Sequence, residues 1–204
     1  MRTTLAVVLE VMFAVLAFGV RSWIQWRRSG STGFVLPRRG APLVERVDAG
    51  LFVLAIGLLV VAPIVDAGDA GRWDAFDNAA IGVVGGMLAV AGIGLCVAAQ
   101  FAMGDSWRIG VDPSAQTALI TAGIFGRVRN PIFSAMVLVT AGFALMLPNA
   151  WAFGVFLALV VGLELQVRYA EEPYLLGVHG DAYARYSARA GRFVPGVGTI
   201  KAAA

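Results

Sequence analysis

At 204 residues, 59% hydrophobic and 14% charged, with a mean hydropathy of +0.78, the chain is too apolar for an ordinary soluble domain and reads as an integral membrane protein. Its net charge of +3 gives no reason to expect nucleic acid as a partner and fits a surface facing anionic lipid. A single cysteine, Cys96, excludes an internal disulfide framework and a cysteine metal site.

A membrane span needs roughly 20 mostly apolar residues. The first candidate covers residues 5–26. Arg2 followed by an apolar run has the look of a secretory leader, but Glu10 interrupts the run and no polar secreted segment follows, so a retained helix is expected. The second and third candidates cover 49–65 and 78–104. In the third, Gly82, Gly85, Gly86, Gly92 and Gly94 predict close helix contact, and Gln100 predicts a hydrogen bond to a neighbouring helix. Residues 132–163 carry no charge over 32 positions, which is too long for one span. Pro148 and Asn149 sit in the middle. Because Pro lacks an amide hydrogen and Asn favours turns, the pair predicts two short antiparallel helices, 132–147 and 150–167. The expected architecture is an all-α integral membrane protein of about five transmembrane helices, the last two a short hairpin. Residues 1–204 form a single domain without internal repeats or low-complexity linkers.

Charge placement supplies an orientation. Residues 21–48, residues 105–131 and the tail after 167 hold 14 of the 16 Lys and Arg residues, and five alternating helices put all three segments on one side. Arg2 and Arg72 fall on the other side, beside Asp66, Asp69, Asp74 and Asp77. The positive-inside rule then predicts an outside amino terminus and a cytoplasmic carboxyl terminus in the inner (plasma) membrane.

Two segments on the basic side carry candidate chemistry. The first is GRVRNPIFS, residues 126–134, which sets Arg127 and Arg129 directly before an apolar helix. By composition these are interfacial anchors, and Pro131 opens the helix at its first turn, where a missing amide costs nothing. The second is the tail RYAEEPYLLGVHGDAYARYSARAGRFVPGVG, residues 168–198. Glu171 and Glu172 lie one turn beyond Arg168, Tyr183 and Tyr186 share a helix face, and Gly180 and Pro195 punctuate the ends. A helix lying on the bilayer accounts for the tyrosines. It does not account for adjacent carboxylates beneath an anionic leaflet, and the segment is too short to bury a core of its own. His179, the single histidine, has no second histidine or cysteine cluster to join, so a surface turn is expected and no metal site.

In order, GIFGRVRNPIF, a helical hairpin, EEPYL, HG, Tyr183, Tyr186 and RFVP resemble the integral-membrane methyltransferase family that includes isoprenylcysteine carboxyl methyltransferases and phospholipid methyltransferases. That family's pattern runs approximately Arg-His-Pro-x-Tyr, hairpin, Glu-Glu-x-x-Leu, Phe-Gly-x-x-Tyr-x-x-Tyr, Arg-Phe-x-Pro. The resemblance covers about residues 100–196, including GDSWRIGVD (104–112) and LITAGIF (119–125), which are similar to what bacterial members carry. Residues 1–99 share with it only their apolar helices. Three short motifs in the right order are more specific than any one alone.

The resemblance implies methyl transfer from S-adenosyl-L-methionine, with S-adenosyl-L-homocysteine as product, to a small lipophilic or isoprenoid-type acceptor. It also implies a cytoplasmic C-terminal helical segment that closes a cofactor pocket over the 100–196 core. Carried over position by position, Arg129, Asn130 and Pro131 fall on the Arg-His-Pro motif, and Glu171 and Glu172 on the paired acids. Arg129 suits the cofactor's carboxylate through a forked contact, and one of Glu171 and Glu172 suits its ammonium. Phe125, Tyr183 or Tyr186 suits the sulfonium, and the backbone around Leu119, Thr121 and Gly123 would edge the adenine. Arg129 and Glu164 are the candidates at the reacting centre, although Glu164 also stands four residues before Arg168, the spacing of an intrahelical ion pair. Gln100 is a further candidate for contact with the acceptor.

Two positions depart from the pattern: Asn130 replaces the histidine and Phe133 the tyrosine. Asn cannot act as a general base near neutral pH, which assigns Asn130 to cofactor binding. The Ala-, Val-, Gly- and Arg-rich composition suggests a bacterial source. The partners expected are membrane lipids and the acceptor, with no obligate protein partner. Two other classes share the features read so far: an NAD(P)H-dependent membrane reductase, since sterol reductases have a similar carboxyl-terminal architecture, and a non-catalytic membrane module.

Overall fold

The computed structural model describes residues 1–34, 43–68, 71–108 and 118–200. Arg38, Arg39, Asp69, residues 109–112 of GDSWRIGVD and Lys201 lie outside the described residues, as do the side chains at 44, 45, 48, 49, 52, 56 and 58. Among the described residues the secondary structure is helical, with no strand. The first helix, α1, runs Arg2–Ser29 and includes a π turn at Val15–Val20. It is followed by α2 (Leu43–Ala67), α3 (Ala79–Met103), α4 (Pro131–Met146) and α5 (Ala150–Gln166). Each lies on one of the apolar stretches expected from sequence.

The helix ends follow local chemistry. Gly30, in the left-handed conformation at φ 74°, closes α1, with Arg27 and Arg28 in its last turn where cations complement the helix dipole. The Asn78 side chain accepts from Ile81 N at the start of α3, and Asn149 accepts from Ala152 N at the start of α5. Pro131 opens α4 at its first turn, as the sequence indicates. Pro148 and Asn149 form the hairpin turn, and Asn149 is fully buried.

One boundary differs from expectation. Helix α5 does not stop near 167; it continues through a π turn, Val167–Glu171, into α6 (Glu172–His179). Pro173, which lacks an amide hydrogen, follows directly on the π turn, where the helical hydrogen-bond pattern already departs from that of an α-helix. The break comes at Gly180, at φ 49°, after which α7 covers Asp181–Arg189.

Among the described residues three helical stretches are long and apolar enough to cross a membrane: Arg2–Ser29, Ala79–Ser106 and Ala150–His179. Val53–Ala67 and Pro131–Met146 are shorter apolar helices. At 1.5 Å per residue α4 is about 24 Å long, somewhat less than a hydrocarbon core of about 30 Å.

The closest packing joins α3 to α4. A side chain at Gly85 would meet the Gly142 carbonyl at 2.7 Å, one at Gly92 would meet Val139 at 2.7 Å, and one at Gly142 would meet Ala89 N at 2.6 Å. On α3 the positions Gly85, Ala89 and Gly92 repeat at four- and seven-residue spacing and on α4 Val139 and Gly142 stand three apart, so the two backbones approach along a shared seam. Of the other glycines expected in this role, Gly82 faces the Arg2 side chain, Gly86 is in ordinary contact with Met146, and Gly94 faces open space. Gln100 donates to the Ala17 carbonyl across the α1–α3 interface at 3.0 Å, the expected interhelical bond.

Charges gather at the two ends of the bundle. At one end Asp66, fully buried, accepts from Thr3 and Arg72, and Asp77 pairs with Arg2. There the Trp73 amide donates to Pro148 O at 2.7 Å. The other end holds Arg21, Arg28 against Asp105, and the arginines of the site described next.

Candidate cofactor and acceptor site

The segment before α4 is held by the tail. Residues Gly123–Gly126 form a 3-10 turn, and the next residues run beside residues 191–192 like two short parallel strands. Gly191 N donates to Arg127 O at 3.0 Å, Arg129 N donates to Gly191 O at 2.8 Å, and Asn130 N donates to Arg192 O at 3.1 Å. Only glycine fits at 191, because a Cβ there would lie 1.9 Å from the Val194 carbonyl. Ser134 of α4 donates its hydroxyl to Phe193 O at 2.6 Å, fixing the tail to the membrane helices.

This arrangement separates the two arginines of GRVRNPIFS. Arg127 is exposed, whereas Arg129 is 6% exposed. The Arg129 guanidinium donates through Nη1 to the carbonyls of Ser187 and Ala190, and through Nη2 to Glu172 Oε1 at 2.6 Å and Gly198 O at 3.0 Å. Arg192 clamps the same carboxylate, Nε to Oε1 at 2.8 Å and Nη2 to Oε2 at 2.9 Å. Those bonds hold the Arg192 guanidinium protonated beyond even the usual arginine range. Two cations thus share one buried carboxylate, and the knot ties residue 129 to α6 and to the tail. Arg129 Nε has no partner among the described residues.

The knot borders two cavities. One, of about 100 Å³, is lined by Leu119, Ile120, Phe125, Leu175, Tyr183 and Tyr186 together with Arg129, Asn130, Glu171 and Glu172. The other, of about 60 Å³, is mainly apolar and reaches between the helices to Phe18, Cys96, Phe133 and Met136. Met103, Phe125, Arg129, Asn130 and Glu171 border both. Glu171 accepts from Gln166 Nε2 at 3.0 Å. Tyr183 and Tyr186 meet edge to face at 6.1 Å, and the Tyr186 hydroxyl donates to Phe125 O at 2.7 Å. Burial pushes the Tyr186 phenol up to about 12 and raises that of Tyr183 as well. Both are therefore neutral rings at physiological pH and not bases.

Most of the residues singled out from sequence come together here. Pro131 lines the apolar cavity. Thr121 and Gly123 lie on the loop leading to Phe125 but line neither cavity. Glu164 is also outside both; it pairs with Arg168 one turn on and approaches Arg192 at 3.9 Å. Glu171 and Glu172, equivalent in the sequence, are distinguished: Glu172 is committed to two arginines and Glu171 faces the cavities. The sequence reading did not single out Arg192, Gln166 or Met103. Arg192 was within reach, as the arginine of RFVP; the other two lack any motif and enter through packing. Among the described residues no three His, Cys, Asp or Glu side chains gather as a metal site would require.

A search of curated proteins finds no match. The model of the phospholipid methyltransferase family matches residues 81–182, half of the chain. The match contains Arg129, Asn130, Glu171 and Glu172, and ends just before Tyr183, Tyr186 and Arg192. With its helical membrane fold and the cavity built around those matched residues, the chain belongs to the phospholipid methyltransferase family of membrane methyltransferases.

Proposed function

We propose that the protein transfers a methyl group from S-adenosyl-L-methionine to a small lipophilic or isoprenoid-type acceptor at the cytoplasmic face of the membrane. The observation that carries this reading is the shared wall. A cavity with both charges and aromatic rings abuts an apolar cavity between the helices, with Phe125, Arg129, Asn130 and Glu171 common to the two.

The residues present suit the cofactor. Arg129 Nε, buried and without a partner, is a donor for a carboxylate. Glu171 offers a carboxylate for an ammonium, Leu119 and Leu175 an apolar slot for a base, and Phe125 and the two tyrosines ring faces and edges for a sulfonium. When bound, the cofactor supplies an already activated methyl donor, so the chain's own part is to bind, align and exclude water. Asn130 takes part by holding the site together: its side chain donates to Arg192 O at 3.2 Å. Glu164 and the Arg129 guanidinium position the site through ion pairs and move no proton.

The test is a titration with S-adenosyl-L-homocysteine. Binding in the micromolar range is expected, roughly 7 to 8 kcal/mol. Glu171→Gln and Arg129→Ala are each expected to weaken it at least tenfold. A parent protein that ignores this ligand and binds NADPH would move the chain to the reductase reading, and binding of neither would leave a non-catalytic module.

The reading also fixes a topology of five crossings, with the site on the basic side. Single-cysteine labelling in sealed vesicles is expected to find residues 31 and 189 reactive from one face and residue 74 from the other. Equal labelling of 74 and 189 from one face would remove the five-crossing arrangement.

A further inference from the structure

Arg21 stands apart from the ion-paired arginines near it. It sits near the cytoplasmic end of α1, 3% exposed. Its guanidinium lies 4.6 Å from the ring centroid of Trp107 and donates Nη2 to the Gly104 carbonyl. Nε and Nη1 are buried and have no partner among the described residues. Among the described residues no carboxylate forms an ion pair with it; the nearby Asp105 is paired with Arg28 at 3.5 Å. One turn on, Gln25, 4% exposed, donates to Asp105 O at 2.9 Å and leaves its own Oε1 unpartnered.

A buried guanidinium without an ion-pair partner is costly to fold around, and its unpartnered Nε and Nη1, which lie on opposite edges of the plane, are each free to donate to an oxygen of a carboxylate or phosphate. The ring on which Arg21 stacks is also a wall of the apolar cavity. Trp107 is itself fixed, 1% exposed, with Gly33 so close that a Cβ there would lie 2.5 Å from the indole. The cation therefore has a set position at the headgroup level, beside the apolar cavity between the helices.

We propose that Arg21, backed by Trp107, is an anion-binding site for the phosphate or carboxylate of an amphiphile whose chain occupies the apolar cavity. The acceptor is accordingly an acidic lipophile, with Arg21 as its specificity-determining residue. This assignment of the acceptor rests on reading the apolar cavity as the acceptor's; the anion site itself does not.

The experiment is thermal unfolding of the full chain in neutral detergent with dodecyl phosphate, dodecanol or inorganic phosphate, each with and without S-adenosyl-L-homocysteine. Dodecyl phosphate is expected to raise the melting temperature saturably, and dodecanol to have little effect. Arg21→Gln should need at least tenfold more dodecyl phosphate for the same rise, Arg21→Lys should fall between, and both should keep the response to S-adenosyl-L-homocysteine, which shows that they fold. An Arg21-dependent rise with inorganic phosphate alone supports the site and assigns it a soluble anion. Equal responses of parent and Arg21→Gln to dodecyl phosphate, or dodecanol acting as well as dodecyl phosphate, overturn the proposal. A lost response to S-adenosyl-L-homocysteine in the parent, with the dodecyl phosphate effect intact, removes the methyltransferase reading and leaves the anion site standing.

Discussion

Glu172→Ala is expected to destabilise the protein by about 3–5 kcal/mol, the usual result of removing one partner from a buried ion pair. Glu172 accepts three hydrogen bonds from two arginines at 2.6 to 2.9 Å. Without it, Arg129 keeps its carbonyl partners but loses its counter-charge in a position that is 6% exposed. Arg192 loses both ends of its fork. The strap of residues 127–130 against 191–192 would loosen with them. A fall in melting temperature on the order of 10 °C should accompany the change, measured by unfolding in detergent. Glu172→Gln, which keeps the shape and removes the charge, should fall between the parent and Glu172→Ala. Glu171→Gln should leave the melting temperature within a few degrees of the parent while weakening S-adenosyl-L-homocysteine. If Glu172→Ala unfolds with the parent, the two-arginine knot does not hold the site together.

The second large effect concerns the acceptor. A chain entering the apolar cavity from within the bilayer must pass between helices, since that cavity is walled by Phe18 of α1, Cys96 of α3 and Phe133 and Met136 of α4. Each methylene removed from water contributes about 0.8 kcal/mol, close to a fourfold change per carbon at fixed total concentration. Methyl transfer to acceptors of one headgroup and increasing chain length is therefore expected to climb by about two orders of magnitude over four methylenes and then level off once the chain is fully embedded. Initial rates in vesicles of fixed lipid content would measure this. A chainless acceptor turned over as fast as a long one would exclude access through the bilayer and direct attention to entry from water.

The sequence by itself determined the helical class and the positions of the five main helices, because long apolar runs interrupted by Pro148-Asn149 and basic loops admit few other foldings. It also marked GRVRNPIFS and the Glu171–Glu172 pair, since charged residues in so apolar a chain need a reason. It carried no signal that α5 would run on as far as His179, where the π turn before Pro173 keeps the helix going. Nor did it show that Arg127 is exposed while Arg129 is buried, because residues two apart before a helix look alike until the tail folds back along one of them. The division of labour between Glu171 and Glu172 is of the same kind: neighbours on a helix point about 100° apart, so one meets the arginines and the other the cavities. Arg192, sixty-three residues beyond Arg129, joins the same carboxylate only through that fold. Burial, which decides whether a charge anchors a surface or organises a site, is a property of the tertiary structure alone.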